Sequence, residues 1–89
     1  MDLADEMLET AFPNPYYKRF SLDVFSHVMG ASTIEFFLWN GESVHLQKSF
    51  VIANKHVVIP YTGKPQNGSL LYTIIIKDHR ASGMVVGIY

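Results

Sequence analysis

Two short polar stretches of the chain combine lysine with histidine. One is Asn54-Lys55-His56, and the other runs from Lys77 through His79 to Arg80. A lysine neutralises a phosphate, and an imidazole can stack on a nucleobase or hydrogen-bond to its edge. One such stretch is usually a solvated turn. Two in a single small domain favour a nucleic-acid site, provided that both turns lie on the same face.

Other kinds of chemistry find less support in the sequence. Asp78, His79 and Ser82 are neighbours on one turn, and adjacent residues rarely aim at a common point. The chain lacks a G-x-S-x-G elbow, a phosphate-binding glycine loop and cysteine, and its four histidines never stand four residues apart. We therefore expect no enzymatic activity, no catalytic residues, no metal and no cofactor.

Charge is distributed unevenly along a chain whose net charge is −1. Residues 1–35 hold six acids and two bases, whereas residues 36–89 hold two acids and five bases. This pattern is typical of a basic binding face that follows an acidic arm, although so short a chain can also show it by chance. No apolar run reaches the length of a membrane span, and the acidic start differs from a signal peptide. We expect a cytoplasmic protein.

The spacing of apolar residues predicts two helices and then five strands. Residues 2–11 have helical spacing and end before Pro13, and Ser21 starts a second predicted helix over about 21–30. Alternating patterns then predict five consecutive strands, the first two joined by the hairpin turn Asn40-Gly41. These strands are 33–39, 43–53, 56–61, 69–77 and 83–89. Five consecutive antiparallel strands favour a small barrel.

The last predicted strand, GMVVGIY, is apolar and carries no charge. A flat apolar strand at the edge of a sheet invites pairing with another chain. A chain of 89 residues buries only a limited core, so assembly would also add stability. We expect another subunit to cover this edge.

The sequence also resembles a known family. The segment FSHVMGASTIEFFLWNGESVHLQ looks like the start of the bacterial Sm-like protein Hfq. ANKHVVIP and IIIKDHRASGMVVGI are similar to its later strands, the second to the segment that carries the YKH motif. The resemblance covers residues 21–89 and leaves 1–20 as an acidic N-terminal extension, a short helix followed by a PNP linker. It implies a mainly β, Sm-like, strongly bent five-stranded antiparallel barrel behind an N-terminal helix, with a further short helix in front.

The resemblance also implies a function. Members of the family form rings, usually hexamers, by pairing the fourth strand of one subunit with the fifth strand of the next; here these are 69–77 and 83–88. They bind uridine-rich and adenine-rich single-stranded RNA and act in riboregulation. Matched positions give Lys55, His56, Lys77 and His79 for a proximal-like RNA site. They give Phe37, Gly41 and Gln47 for a distal-like one.

Two other classes of function remain open at this stage. A small protein-interaction or inhibitor domain would add the apolar strand 83–88 to a partner's sheet. A small-ligand sponge would bind nucleotides in pockets between subunits.

Overall fold

The computed structural model describes residues 7–88, and all of its regular elements are β-strands. The strands, in chain order, are β1 (Met7–Phe12), β2 (Ser21–Ser26), β3 (Gly30–Leu38), β4 (Ser43–Val51), β5 (His56–Pro60), β6 (Gly68–Ile76) and β7 (His79–Gly87). They form a three-stranded sheet in the order β1-β2-β5 and a four-stranded sheet in the order β4-β3-β6-β7. All strand pairs within these sheets are antiparallel.

The core lies between the inner faces of the two sheets. Successive side chains of a strand point to opposite faces, so every second residue turns inward. Leu22 and Val24 do so in β2, while Ile34 and Phe36 do so in β3. Further buried residues, from both sheets and from the segments between strands, are Ala11, Tyr16, Phe20, Val51, Ile59, Leu70, Tyr72, Ile74, Ile76 and Val85. The result is a β-sandwich built on period-2 patterns.

The predicted Sm-like barrel with an N-terminal helix is wrong. The five predicted strands are confirmed as β3 to β7, with ends that move by a few residues. They do not form one bent sheet, because β5 leaves its neighbours and pairs with β2 in the other sheet. The register between β3 and β4 shifts only between Phe36 and Phe37, opposite the start of β4.

Both predicted helices are also wrong where the structure describes them. Residues 21–26 of the second predicted helix form β2, the middle strand of its sheet. Residues 7–11 of the first belong to β1, while residues 1–6 lie outside the described residues. Val24 and Phe25 have high β-propensity, and pairing with β1 on one side and β5 on the other satisfies the backbone groups of successive residues along β2. Tertiary pairing therefore outweighs the helical spacing of the apolar residues.

A short strap, residues 14–16, covers the outer edge of β7. Tyr16 N–H donates to Val86 O at 2.8 Å, and Ile88 N–H donates to Tyr16 O at 2.8 Å. The Asn14 side chain donates to Met84 O at 3.2 Å and accepts from Val86 N–H at 3.0 Å. Residues 7–16, which the sequence assigns to an extension, thus contribute both β1 and the strap to the sandwich.

Tyr72 and Glu9 tie the two sheets together through the core. The buried Tyr72 of β6 donates its hydroxyl hydrogen to Glu9 Oε2 of β1 at 2.6 Å. Burial, followed by the hydrogen bond and the negative charge of Glu9, raises the pKa of Tyr72 far above its ordinary value. Gly83 lies opposite Tyr72 in β7, and a Cβ there would stand only 2.5 Å from Tyr72 Cζ. The glycine leaves the space that the tyrosine ring needs to reach across.

Candidate nucleic-acid interface

Three turns come together at one end of the sandwich, which we call the basic end. They are residues 27–29 between β2 and β3, residues 52–55 between β4 and β5, and residues 77–78 between β6 and β7. The antiparallel registers place them together, since Gly30 pairs with Val51 and Ser32 pairs with Ile76. Asn54 N–H also donates to Ser26 O at 2.7 Å, which fixes the second turn beside the first.

The basic end collects the charged residues that the sequence singled out. Lys55, Lys77 and Arg80 supply cations there. Further members are the imidazoles of His27, His56 and His79 and the carboxylates of Asp23 and Asp78. The two lysine–histidine stretches lie at one end of the molecule, with His56 in the three-stranded sheet and His79 in the four-stranded sheet.

His56 starts β5 on the outer face of the three-stranded sheet. Its Nδ1 lies 2.9 Å from Asp23 Oδ1, and 69% of its side chain is exposed. Asp23 therefore fixes the ring through one nitrogen, and Nε2 is the nitrogen left for a ligand. Lys55 directly precedes His56 in the exposed turn.

Phe25 stands between two histidines on the same outer face. Its ring centroid is 5.0 Å from that of His56, which pairs with it across the strands, and 5.5 Å from that of His27. His27 Nδ1 lies 2.6 Å from Asn54 Oδ1, so the turn before β5 holds this second imidazole. We call Phe25, His27 and His56 the aromatic cluster. Rings of this kind are the side chains on which nucleobases stack.

The second lysine–histidine stretch closes the hairpin between β6 and β7. Lys77 and Asp78 form a two-residue turn in which Lys77 has a φ of 55°. His79 and Arg80 already belong to β7, and His79 Nε2 lies 3.4 Å from Asp78 Oδ1. A Cβ at Gly30 would be 3.5 Å from Lys77 Cε, so the lysine stem passes over the start of β3.

The three distal-like candidates are not brought together. Phe37 lies on the outer face of the four-stranded sheet, where it pairs with Ser43 and Leu71. Gly41, with a φ of 90°, lies in the exposed β3–β4 turn at the end opposite the basic end. The Gln47 side chain is engaged in joining the sheets instead.

Gln47 forms a bridge from β4 to the end of β5. Its amide donates to Pro60 O at 2.9 Å, and its Oε1 accepts from Thr62 N–H at 3.0 Å. The hydroxyl of Thr62 and the ring of His45 also lie within hydrogen-bond distance of Oε1. The side-chain amide of Gln47 is therefore occupied by hydrogen bonds that hold the two sheets together.

Sequence reasoning missed two members of the aromatic cluster, Phe25 and His27. The helix predicted over 21–30 gave neither residue a part in the candidate site. The alternation S-L-D-V-F-S-H carries the missing signal, because a strand puts Asp23, Phe25 and His27 on one face.

Comparison of the chain with protein-family models, with curated proteins and with solved structures found no match. Between residues 7 and 88, no helix is long and apolar enough to cross a membrane. Over the same residues, no three histidine, aspartate or glutamate side chains are grouped so that they could hold a metal ion.

Proposed function

We propose that the protein binds single-stranded RNA at the basic end and acts without enzymatic activity. The observation that carries the proposal is the meeting of the Lys55–His56 and Lys77–His79 stretches at one end of the sandwich. Cytoplasmic riboregulation, as the sequence resemblance implies, belongs to the same proposal.

The lysines and the aromatic cluster at this end would have different roles in RNA binding. Lys55 and Lys77 are exposed and would neutralise phosphates, which gives affinity without base preference. The aromatic cluster would take a base by stacking, and stacking requires bases that are not already paired in a duplex. Packed sheets lie about 10 Å apart, so an RNA chain that contacts both Lys55 and Lys77 would need only a few nucleotides to reach from one to the other.

The test is the binding of labelled oligo(U) and oligo(A) over a salt series, measured by fluorescence anisotropy. Each phosphate contact with single-stranded nucleic acid contributes about −0.7 to the slope of log affinity against log salt. The double variant Lys55→Ala/Lys77→Ala should therefore bind more weakly and with a slope shallower by about 1.4.

Lys64→Ala is the matched control for this test. Lys64 is an exposed lysine in the 61–67 loop at the opposite end, and only its backbone carbonyl accepts the Tyr61 hydroxyl hydrogen. The control should bind RNA like the unchanged protein. Absence of binding at low salt, or equal loss in the control and the double variant, would contradict the proposal.

A second candidate function is docking to another protein through a sheet edge. The strand expected to do so, 83–88, is covered by the strap from Met84 to Ile88. The edge of β4, in contrast, pairs with nothing beyond β3 among residues 7–88. Strand addition at β4 is therefore the form in which this function is supported.

A further inference from the structure

The backbone of β3 shows which groups of β4 are already bonded. Leu38 N–H donates to Glu42 O and Leu38 O accepts from Gly41 N–H, both at 2.9 Å. The backbone groups of Leu38 thus face β4. Because these groups alternate sides along an antiparallel strand, Ile34 and Ser32 also direct theirs toward β4.

The same register shows which backbone N–H and C=O groups of β4 face away from β3. Gln47 pairs with Ile34, and Ser49 pairs with Ser32, so both direct their N–H and C=O groups toward β3. The backbone groups of Leu46, Lys48 and Phe50 then point away from the sheet. This row of donors and acceptors has no strand beside it among residues 7–88.

The other sheet edges are less open. The strap occupies the edge of β7 from Met84 onward. The two edges of the other sheet, β1 and β5, are only six and five residues long, and β5 ends at Pro60, which has no N–H to donate. β4 is nine residues long, and Leu46 and Phe50 are 54% and 58% exposed on it. A long, proline-free edge strand that exposes apolar side chains can pair with another strand.

We propose that β4 pairs antiparallel with β4 of a second copy of this chain, so that two four-stranded sheets join into one sheet of eight strands. This takes the second candidate function further by naming the partner, and it is independent of RNA binding.

Charge and length select one register for this pairing. Full overlap of the nine residues places the two-fold axis at Gln47, and Ser43 then pairs with Val51 of the second copy. Lys48, the only charged residue in β4, falls opposite Leu46 of the second copy. Its outward-facing N–H and C=O meet those of Leu46, as an antiparallel hydrogen-bonded pair requires. Centring the pair on Lys48 would set two lysines face to face, which is destabilising.

The two copies would contact each other through the same strand, so the contact is symmetric and the assembly stops at a dimer. An isologous contact uses the same surface twice, so the dimer leaves no β4 edge for a third copy. The aliphatic part of each Lys48 side chain would pack along Leu46 of the second copy, while its ammonium group stays in water. The two basic ends would point in opposite directions, because the paired strands are antiparallel.

The first test is the mass in solution, measured by sedimentation over a wide concentration series. The unchanged chain should show a concentration-dependent species of twice the mass of one chain. Lys48→Pro removes an outward N–H without touching a bond to β3, and it should weaken dimerisation by about tenfold or more. Lys48→Thr keeps that N–H and should still dimerise. A chain that is monomeric throughout the series, or a proline variant that dimerises unchanged, would overturn the proposal.

Introduced cysteines test the register even if the proline variant fails to fold. The chain has no cysteine of its own, so every disulfide must come from the introduced thiols. In Leu46→Cys/Lys48→Cys the two positions stand opposite each other across the axis, with Cα atoms about 5.5 Å apart, within disulfide reach. Oxidation should give a covalent dimer quickly.

The single variant Lys48→Cys is the control, since its thiols are offset by two residues and should crosslink slowly. Equal crosslinking of the single and double variants would overturn the register. Oligo(U) affinity, measured on Lys48→Pro, separates the proposals. Lys48→Pro should bind oligo(U) like the unchanged chain. If the unchanged chain is a monomer that binds RNA, only the dimer is refuted; if it is a dimer that never binds RNA, only the RNA site is refuted.

Discussion

Replacement of Tyr72 by phenylalanine should lower the free energy of unfolding by about 2 kcal/mol at neutral pH. The ring is 3% exposed, and phenylalanine fills the same space, so the change removes only the hydroxyl. That hydroxyl donates to the Glu9 carboxylate at 2.6 Å, and hydrogen bonds to charged groups contribute about 1.5–3 kcal/mol. For a domain of this size, 2 kcal/mol corresponds to a drop in Tm of roughly 8–16 °C.

The pH dependence of this loss has a definite sign. The pKa of Tyr72 is raised in the folded state, because burial and the Glu9 charge disfavour the phenolate. The stabilisation from the hydroxyl is then complete below the ordinary tyrosine pKa of about 10, and it falls as the unfolded state loses its proton at higher pH. With a decline of about 1.4 kcal/mol per pH unit, a 2 kcal/mol difference should vanish near pH ~11.5.

The assay is urea denaturation of the unchanged protein and Tyr72→Phe at pH 7 and at several values above pH 10. Comparison of the two proteins cancels the titration of every group that they share. Tyr17→Phe is the control, because it removes a hydroxyl from a side chain that is 59% exposed and should change stability little. A loss below about 0.5 kcal/mol at pH 7, or a difference that stays constant with pH, would refute this account of the Tyr72–Glu9 bond.

Three further changes test the site and the edges. Phe25→Leu should weaken oligo(U) binding by about 1–3 kcal/mol at unchanged Tm, measured by anisotropy, and an unchanged Kd would remove the ring from the site. Gln47→Ala should cost about 1–2 kcal/mol in urea denaturation through its lost bonds to Pro60 and Thr62, without altering RNA affinity. Unchanged stability with weaker oligo(A) binding would return that residue to an RNA role. Asn14→Ala should speed hydrogen exchange at Val86 N–H, and exchange at the original rate would show that the strap does not need the amide.

The strands that could be predicted from the sequence are those whose signals are local. Residues 33–39 are rich in β-branched and aromatic side chains, and Asn40-Gly41 marks a tight turn, so β3 and β4 follow from short-range chemistry. β2 could not be predicted in the same way, because Leu22, Phe25 and Val28 fit a helix as well as Leu22 and Val24 fit a strand. Its pairing with β5 joins residues more than thirty positions apart, and no local pattern encodes it.

The candidate site shows the same contrast between local and long-range signals. Residue type singled out Lys55, His56, Lys77 and His79, and the antiparallel strand order places their turns at one end. Phe25 joins His56 only through the cross-strand register, so its part in the site depends on the pairing that the helix prediction missed.

The strap makes the first and last described segments of the chain one cooperative unit. β7 is held on one side by β6 and on the other by residues 14–16, so Tyr16 and Ile88 can lose their shared bonds only together. A cut or deletion within 13–20 should therefore loosen the outer edge of β7, although β7 stays paired with β6. During synthesis, the strap cannot form these bonds until β7 has left the ribosome.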